Sequence, residues 1–200
     1  MNSHLLHDIL AKGGWESTIN EIHGGNMNEL NKLNPSQTVS FSGHRPEQLP
    51  GHGDPNTLEA QMLITALQKH IAGAIRSGKH VYIHGAMAGF DIMAAEQVLD
   101  LKKQYPHIQL ISVAPYSVDF FSRERCWTPE WIHRAREVFR QHNFGISLSE
   151  HYRPGIYYER NRVIVDHSSE LICYHDGGKG GTEQTIRYAK SKSLHIHNLF

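Results

Sequence analysis

Residues 81–91 read Val-Tyr-Ile-His-Gly-Ala-Met-Ala-Gly-Phe-Asp. Val81 to His84 has the length and apolar character of a short buried strand. Gly85 to Gly89 supplies small residues for a tight turn, and Ile92, Ala95 and Leu99 then mark a helix that ends before Pro106. The same strand–turn–helix order extends in both directions. Upstream, Thr38 to Ser42 reads as a strand, and Leu63, Leu67, Ile71 and Ile75 recur every fourth residue as one face of a helix, with Gly78 placed for its C-cap. Downstream come strands at 110–114, 144–148, 171–174 and 194–197, alternating with helices at about 129–141, 160–166 and 182–190. This alternation predicts an α/β fold of three layers, with a mostly parallel sheet and helices on both faces.

Residues 1–36 are polar, are broken by Gly13-Gly14 and Gly24-Gly25, and close on Asn34-Pro35. They read as an N-terminal extension with a short helical turn at Leu5 to Leu10, and residues 37–200 as the folded domain. The 200-residue chain is 39% hydrophobic and 20% charged, which suits a globular domain rather than a disordered chain. Its 20 basic and 20 acidic residues cancel, so a broad nucleic-acid surface is not expected. No segment has the run of about 20 apolar residues needed to cross a bilayer, and residues 1–30 lack the order of a secretory signal. The expected location is the cytoplasm, with no membrane partner. Two cysteines form no disulfide framework; Cys173 lies in an apolar run and reads as buried, Cys126 as nearer the surface. The 16 histidines are scattered without metal-ligand spacing, although His195 and His197 fall on one face of the last strand. Neither a metal nor a cofactor is expected.

Three loops leave the C-terminal ends of predicted strands, the edge where open α/β sheets bind ligands. The first is Ser42-Gly43-His44-Arg45-Pro46, in which Arg45 offers a fork of donors to phosphate or carboxylate. The second runs from Gly85 through Gly89 to Asp91; its small residues admit a ligand to the backbone, and Asp91 suits ribose hydroxyls or a helix cap. The third, Asp176-Gly177-Gly178-Lys179-Gly180-Gly181-Thr182, places four glycines directly before a helix and suits a cradle of backbone amides for phosphate. It is not the Walker sequence, because no Lys-Ser/Thr pair follows the glycines.

Taken in order, Ser-Gly-His-Arg-Pro at 42–46, Gly-x-x-x-Gly-x-Asp at 85–91 with Ala-Ala-Glu at 94–96, Arg160-Asn161 with Asp166, and Gly-Gly-Thr at 180–182 with Tyr188-Ala189 resemble the YpsA-like branch of the SLOG superfamily. That superfamily includes the DprA/Smf and lonely-guy proteins. The resemblance covers about residues 37–198. It implies a Rossmann-like fold, a nucleotide or nucleotide-derived ligand, a sensing role rather than a fixed chemistry, and association into homo-oligomers. The ligand-binding residues it implies are Ser42, Gly43, His44, Arg45, Gly85, Gly89, Asp91, Arg160, Asn161, Gly177, Gly178, Gly181 and Thr182.

Two other readings follow from the same relatives. Lonely-guy enzymes cleave nucleoside monophosphates with a Pro-Gly-Gly-x-Gly-Thr-x-x-Glu motif. Here Asp176 stands at the proline, one more residue separates the glycine pairs, Thr185 takes the glutamate position, and Glu183 comes two residues early. A DprA-like single-stranded DNA site would need a basic track with stacking aromatics. Arg123, Arg125, Trp127, Trp131, Arg134 and Arg136 mix both types, but Trp131, Ala135, Val138 and Phe139 share a face that suits core packing.

Overall fold

The computed structural model describes residues 24–117 and 125–200. A one-turn helix α1 (Met27–Leu30) precedes β1 (Thr38–Gly43), α2 (Leu58–Arg76), β2 (Val81–His84), α3 (Phe90–Lys102), β3 (Gln109–Ala114), α4 (Pro129–Gln141), β4 (Phe144–Ser147), α5 (Ile156–Asp166), β5 (Glu170–Tyr174), α6 (Gly181–Ser191) and β6 (His195–Asn198). The six strands form one sheet in the order β4-β3-β2-β1-β5-β6, and every pairing is parallel. The expected turn at Leu5 to Leu10 lies outside the described residues.

The chain steps from β1 outward to β4, then returns across the sheet to place β5 on the other side of β1. Right-handed crossovers put the helices of the outward run on one face and those of the return on the other. Strand residues sort accordingly, with a period of two. Val39, Phe41, Tyr82, Leu110 and Ile172 pack in the core formed with α2, α3 and α4. Val81, Ile83, Ile111 and Val113 pack against Leu30 and Ile164, and Leu171 and Cys173 against Val165 and Ala189, on the side of α5 and α6. The reversal between β1 and β5 opens a crevice at the C-terminal edge of the sheet.

Local chemistry explains the helix limits. Thr57 accepts from the Ala60 amide at the start of α2, whose predicted stripe of Leu63, Leu67, Ile71 and Ile75 is buried. Gly78, at φ 92°, ends it, with the Lys79 amide donating to the Ala74 carbonyl. Thr128 caps α4, and Pro129 occupies its first turn. Helix α5 begins at Ile156, earlier than the apolar spacing indicated, because Gly155 in the left-handed region turns the chain into it and Ile156 is fully buried. Residues 24–33 lie against the sheet: the Gly25 amide bonds the Gly145 carbonyl at 3.2 Å, and Leu30 is 0% exposed. Cys126, expected nearer the surface, is buried in the cluster that holds Trp127 and Trp131; Cys173 is buried as its apolar run indicated.

One buried histidine sits where β2 meets its loop. His84 Nε2 lies 2.8 Å from Ser112 Oγ, which lies 2.8 Å from His142 Nδ1, and the Ala86 amide donates to His84 Nδ1. Burial, reinforced by His142 and Arg160, pushes its pKa down to about 3. The unfolded chain therefore takes up this proton near pH 6.5 while the folded chain does not, so stability falls as pH drops from about 6.5 toward about 3. Urea melts across that window are expected to lose up to about 1.4 kcal/mol per pH unit from this one group. A His84→Gln variant should show a shallower slope; an equal slope in wild type and variant would contradict this assignment.

Candidate functional site

The three predicted loops meet in one cleft of about 320 Å³ at the C-terminal edge of β1 and β5. From the first loop, Ser42, Gly43, His44 and Arg45 line it; from α3, Asp91; from α5, Arg160 and Asn161; from the third loop and α6, Gly178, Gly181 and Thr182. These ten positions, read from the sequence as ligand-binding, are brought together. Gly85, Gly89 and Gly177 are not among the lining residues. The cleft also takes in Lys179 of the third loop, together with Tyr157 and His175, which sequence reasoning missed. His175 carried a signal, since it is the first residue beyond the β5 strand, level with His44 beyond β1.

Gly85 and Gly89 serve the site from beneath. A Cβ on Gly85 would overlap Arg160 Nη1, so the guanidinium crosses the backbone where a side chain would stand. Gly89 has φ 101°, and a Cβ there would lie 2.5 Å from the His44 carbonyl oxygen. That carbonyl accepts from the Phe90 amide at 3.1 Å, which ties the first loop to the start of α3. The amides at this helix start thus serve the protein: Phe90 bonds His44, and the Met87 backbone supports the Asp91 carboxylate.

Asp91 is a partner of Arg160. Arg160 Nη1 donates to Asp91 Oδ2 at 3.1 Å, with both side chains more than nine-tenths buried. Burial raises the Asp91 carboxyl above the usual carboxylate range, against the opposing pull of Arg160 and Arg45. Burial likewise lowers the Arg160 guanidinium, and Asp91 counters it. Arg160 Nε is buried without a hydrogen-bond partner, a donor whose burial costs about 1–3 kcal/mol unless something accepts from it. The Arg45 guanidinium stands 5.7 Å from the centre of the Tyr157 ring.

The glycine-rich loop opens onto α6. Asp176 Oδ1 accepts from the Gly178 amide at 2.9 Å, which fixes the loop's first turn and occupies one of the amides expected to cradle phosphate. That bond and His44 hold the Asp176 carboxyl below its ordinary range, against a partial loss of solvent. No side chain caps the N-terminus of α6, where the Gly181, Thr182 and Glu183 amides begin the helix beside the cleft. Such an end attracts anions through its amides and the helix dipole. At the hydrolase position, Thr185 is buried and donates to the Gly181 carbonyl, whereas Glu183 reaches the cleft.

Several residues of the family-like motifs brace the fold instead. Glu96 receives two hydrogen bonds from Arg134, of 2.7 and 2.6 Å, and Arg134 also donates to the Gly53 carbonyl. Tyr188 donates to Asp166 at 2.8 Å across α5 and α6. The basic and aromatic residues weighed as a DNA track are largely spent in this way: Trp127 and Trp131 are buried, and the Arg134 guanidinium lies 3.9 Å from the Trp131 ring centre. Arg123 lies outside the described residues.

The model of the YpsA family, described as the YspA SLOG family, matches residues 39–198. The chain belongs to this family. Among curated relatives, an uncharacterised SPbeta prophage-derived protein, YoqJ of Bacillus subtilis, is 27% identical over 127 residues, covering 60% of this chain and 74% of its own length. A UPF0398 protein of Lysinibacillus sphaericus is 20% identical over 160 residues, 79% of this chain and 87% of that one. In solved structures the fold is similar to DNA processing protein A of Helicobacter pylori, described for its single-stranded DNA binding mode, with TM-score 0.54, 22% identity, and coverage of 87% of this chain and 68% of that one. The Streptococcus pneumoniae DprA matches with TM-score 0.56 and 18% identity, and the chain spans 58% of its length. These likenesses confirm the Rossmann-like α/β fold. Among the described residues, no helix is long and apolar enough to cross a membrane.

The Asp91–Arg160 pair makes a direct prediction. Removing one partner leaves the other charge buried and alone, a loss of about 3–5 kcal/mol. Arg160→Met is expected to lower stability by that amount, and the Asp91→Asn/Arg160→Met double variant by less than the sum of the singles. Urea unfolding of the four proteins checks it; additive losses would show that the two side chains act independently.

Proposed function

We propose that this chain binds a nucleotide-derived, phosphate-bearing ligand in the cleft between β1 and β5, and acts as a ligand-sensing protein of the cytoplasm rather than through a fixed chemistry. The observation that carries the reading is the uncapped N-terminus of α6 facing the same cleft as Arg45 and Arg160. Backbone amides and guanidinium groups would take the phosphate. Asn161, Thr182 and Ser42 offer hydroxyl and amide groups to a sugar, and Tyr157 offers a ring face to a base. The volume suits a ligand of nucleotide size. Thr185 at the lonely-guy glutamate position weighs against glycosidic cleavage, although Glu183 keeps a carboxylate within the cleft.

A second reading, single-stranded DNA binding, draws on the likeness to the two DprA structures. The same amides and arginines would then hold one phosphate of a strand. The burial of Trp127 and Trp131 removes the stacking platform that this mode would need from α4.

A thermal-shift series with nucleoside monophosphates, ADP-ribose and cyclic nucleotides separates these readings, using wild type and Gly181→Glu. The substitution places a carboxylate at the α6 amides, and a Cβ there meets nothing within 4 Å, so the fold should tolerate it. Gly89→Glu would be a poor probe, because its Cβ would collide with the His44 carbonyl oxygen. A ligand at 100 times its Kd should stabilise wild type by about 2.7 kcal/mol, and Gly181→Glu should abolish the shift. No shift with any nucleotide, together with salt-sensitive retardation of single-stranded DNA, would transfer the site to the second reading.

A further inference from the structure

Gly43 pairs with Tyr174 at the last rung of β1 and β5, so the residues that follow, His44 and His175, leave the sheet side by side. Their rings are 5.6 Å apart, and Asp176 follows immediately. His44 Nε2 lies 3.1 Å from Asp176 Oδ1, and His175 Nδ1 lies 3.9 Å from the same oxygen. All three donor atoms fall within 4.8 Å of one another, the one group of three or more His, Cys, Asp or Glu among the described residues to converge so closely. We propose that His44, His175 and Asp176 form a binding site for a divalent transition-metal ion of the zinc class, opening onto the cleft.

Three observations carry the site beyond a simple histidine–aspartate contact. First, His175 Nδ1 is buried and has no hydrogen-bond partner. A buried ring nitrogen without a partner is costly, and with the ring proton on Nε2 its lone pair is available to an ion. Second, His44 Nε2 faces a donor and an acceptor together: the Asp176 amide donates to it at 3.3 Å while Asp176 Oδ1 stands 3.1 Å away. One nitrogen cannot serve both; a cation between Nε2 and the carboxylate would bind nitrogen and oxygen together in place of the longer amide contact. Third, the spacing fits. Bonds of about 2.0–2.1 Å set the ligand atoms of a tetrahedral ion about 3.4 Å apart, between the two distances measured here. Two imidazoles and a carboxylate suit zinc and its first-row neighbours better than calcium or magnesium.

His44, His175 and Asp176 all line the cleft beside the glycine-rich loop, so the ion's remaining positions would face the α6 amides. This second half rests on the proposed nucleotide reading: a ligand phosphate would complete the shell, held by the ion on one side and by Arg45 and the helix end on the other. The scattered histidines of the sequence hid the site, because the three ligands are joined by strand order and not by spacing.

Titration calorimetry of the metal-free full chain with Zn²⁺ alone tests the site. The chain carries 16 histidines, including the neighbouring pair of exposed His195 and half-buried His197, so His195→Gln serves as the control for adventitious binding. Wild type and His195→Gln should bind one Zn²⁺ equally well. Asp176→Asn, at an exposed position, and His175→Asn should each weaken that equivalent about 100-fold, at the upper end of the losses that even supporting residues of a metal site cause. Circular dichroism of each variant confirms that it is folded. Unchanged affinity in folded Asp176→Asn would overturn the proposal, as would binding lost only in His195→Gln. Nucleotide shifts measured in chelator report on the nucleotide reading separately, so the two can fail independently.

Discussion

The site depends on one buried contact, the ion pair of Asp91 and Arg160. Asp91 belongs to a helix on one face of the sheet and Arg160 to a helix on the other. They meet beyond the end of β2, over a glycine whose missing Cβ is the space the guanidinium fills. This contact ties the two helical layers together at the edge where the chain reverses direction. A charge pair buried to this degree contributes little net stability, because desolvation offsets the attraction. What it supplies is position: a fixed guanidinium, with one donor still unsatisfied, at the wall of a cleft.

The fold was legible in the sequence because parallel strands buried on both faces are short, apolar and separated by helices of clear period. Every strand was read within one residue of its observed limits, and the start of α5 was missed because Tyr157 and Tyr158 hide the period behind a glycine-set turn. The site was legible in outline for a different reason: each loop follows a strand end, so a single rule placed them on one edge. The roles within it were less accessible. Gly85 and Gly89 looked like places for a ligand to approach the backbone, yet they admit Arg160 and the His44 carbonyl. Asp91 looked like a sugar-binding carboxylate, yet its partner stands 69 positions away in the chain. Which small residue admits the protein and which admits a ligand is a question of strand order and helix layer, and local sequence carries neither.

Membership of the YpsA SLOG family and likeness to DprA set the scaffold without setting the chemistry, since one fold hosts many functions. Departures within the chain are more informative. Thr185 closes a helix turn where the lonely-guy enzymes carry a glutamate, and the tryptophans near α4 are consumed by the core. The cleft keeps a set of anion-seeking groups, the Glu183 carboxylate and a histidine–aspartate cluster.

The most direct measurement is a crystal structure of the protein with the nucleotide that binds it most tightly. The account predicts phosphate density within hydrogen-bond distance of the Gly181 and Thr182 amides, with Arg160 still paired to Asp91. Phosphate bound elsewhere, for example among the histidines at the β6 edge, with the β1–β5 cleft holding only solvent, would contradict it.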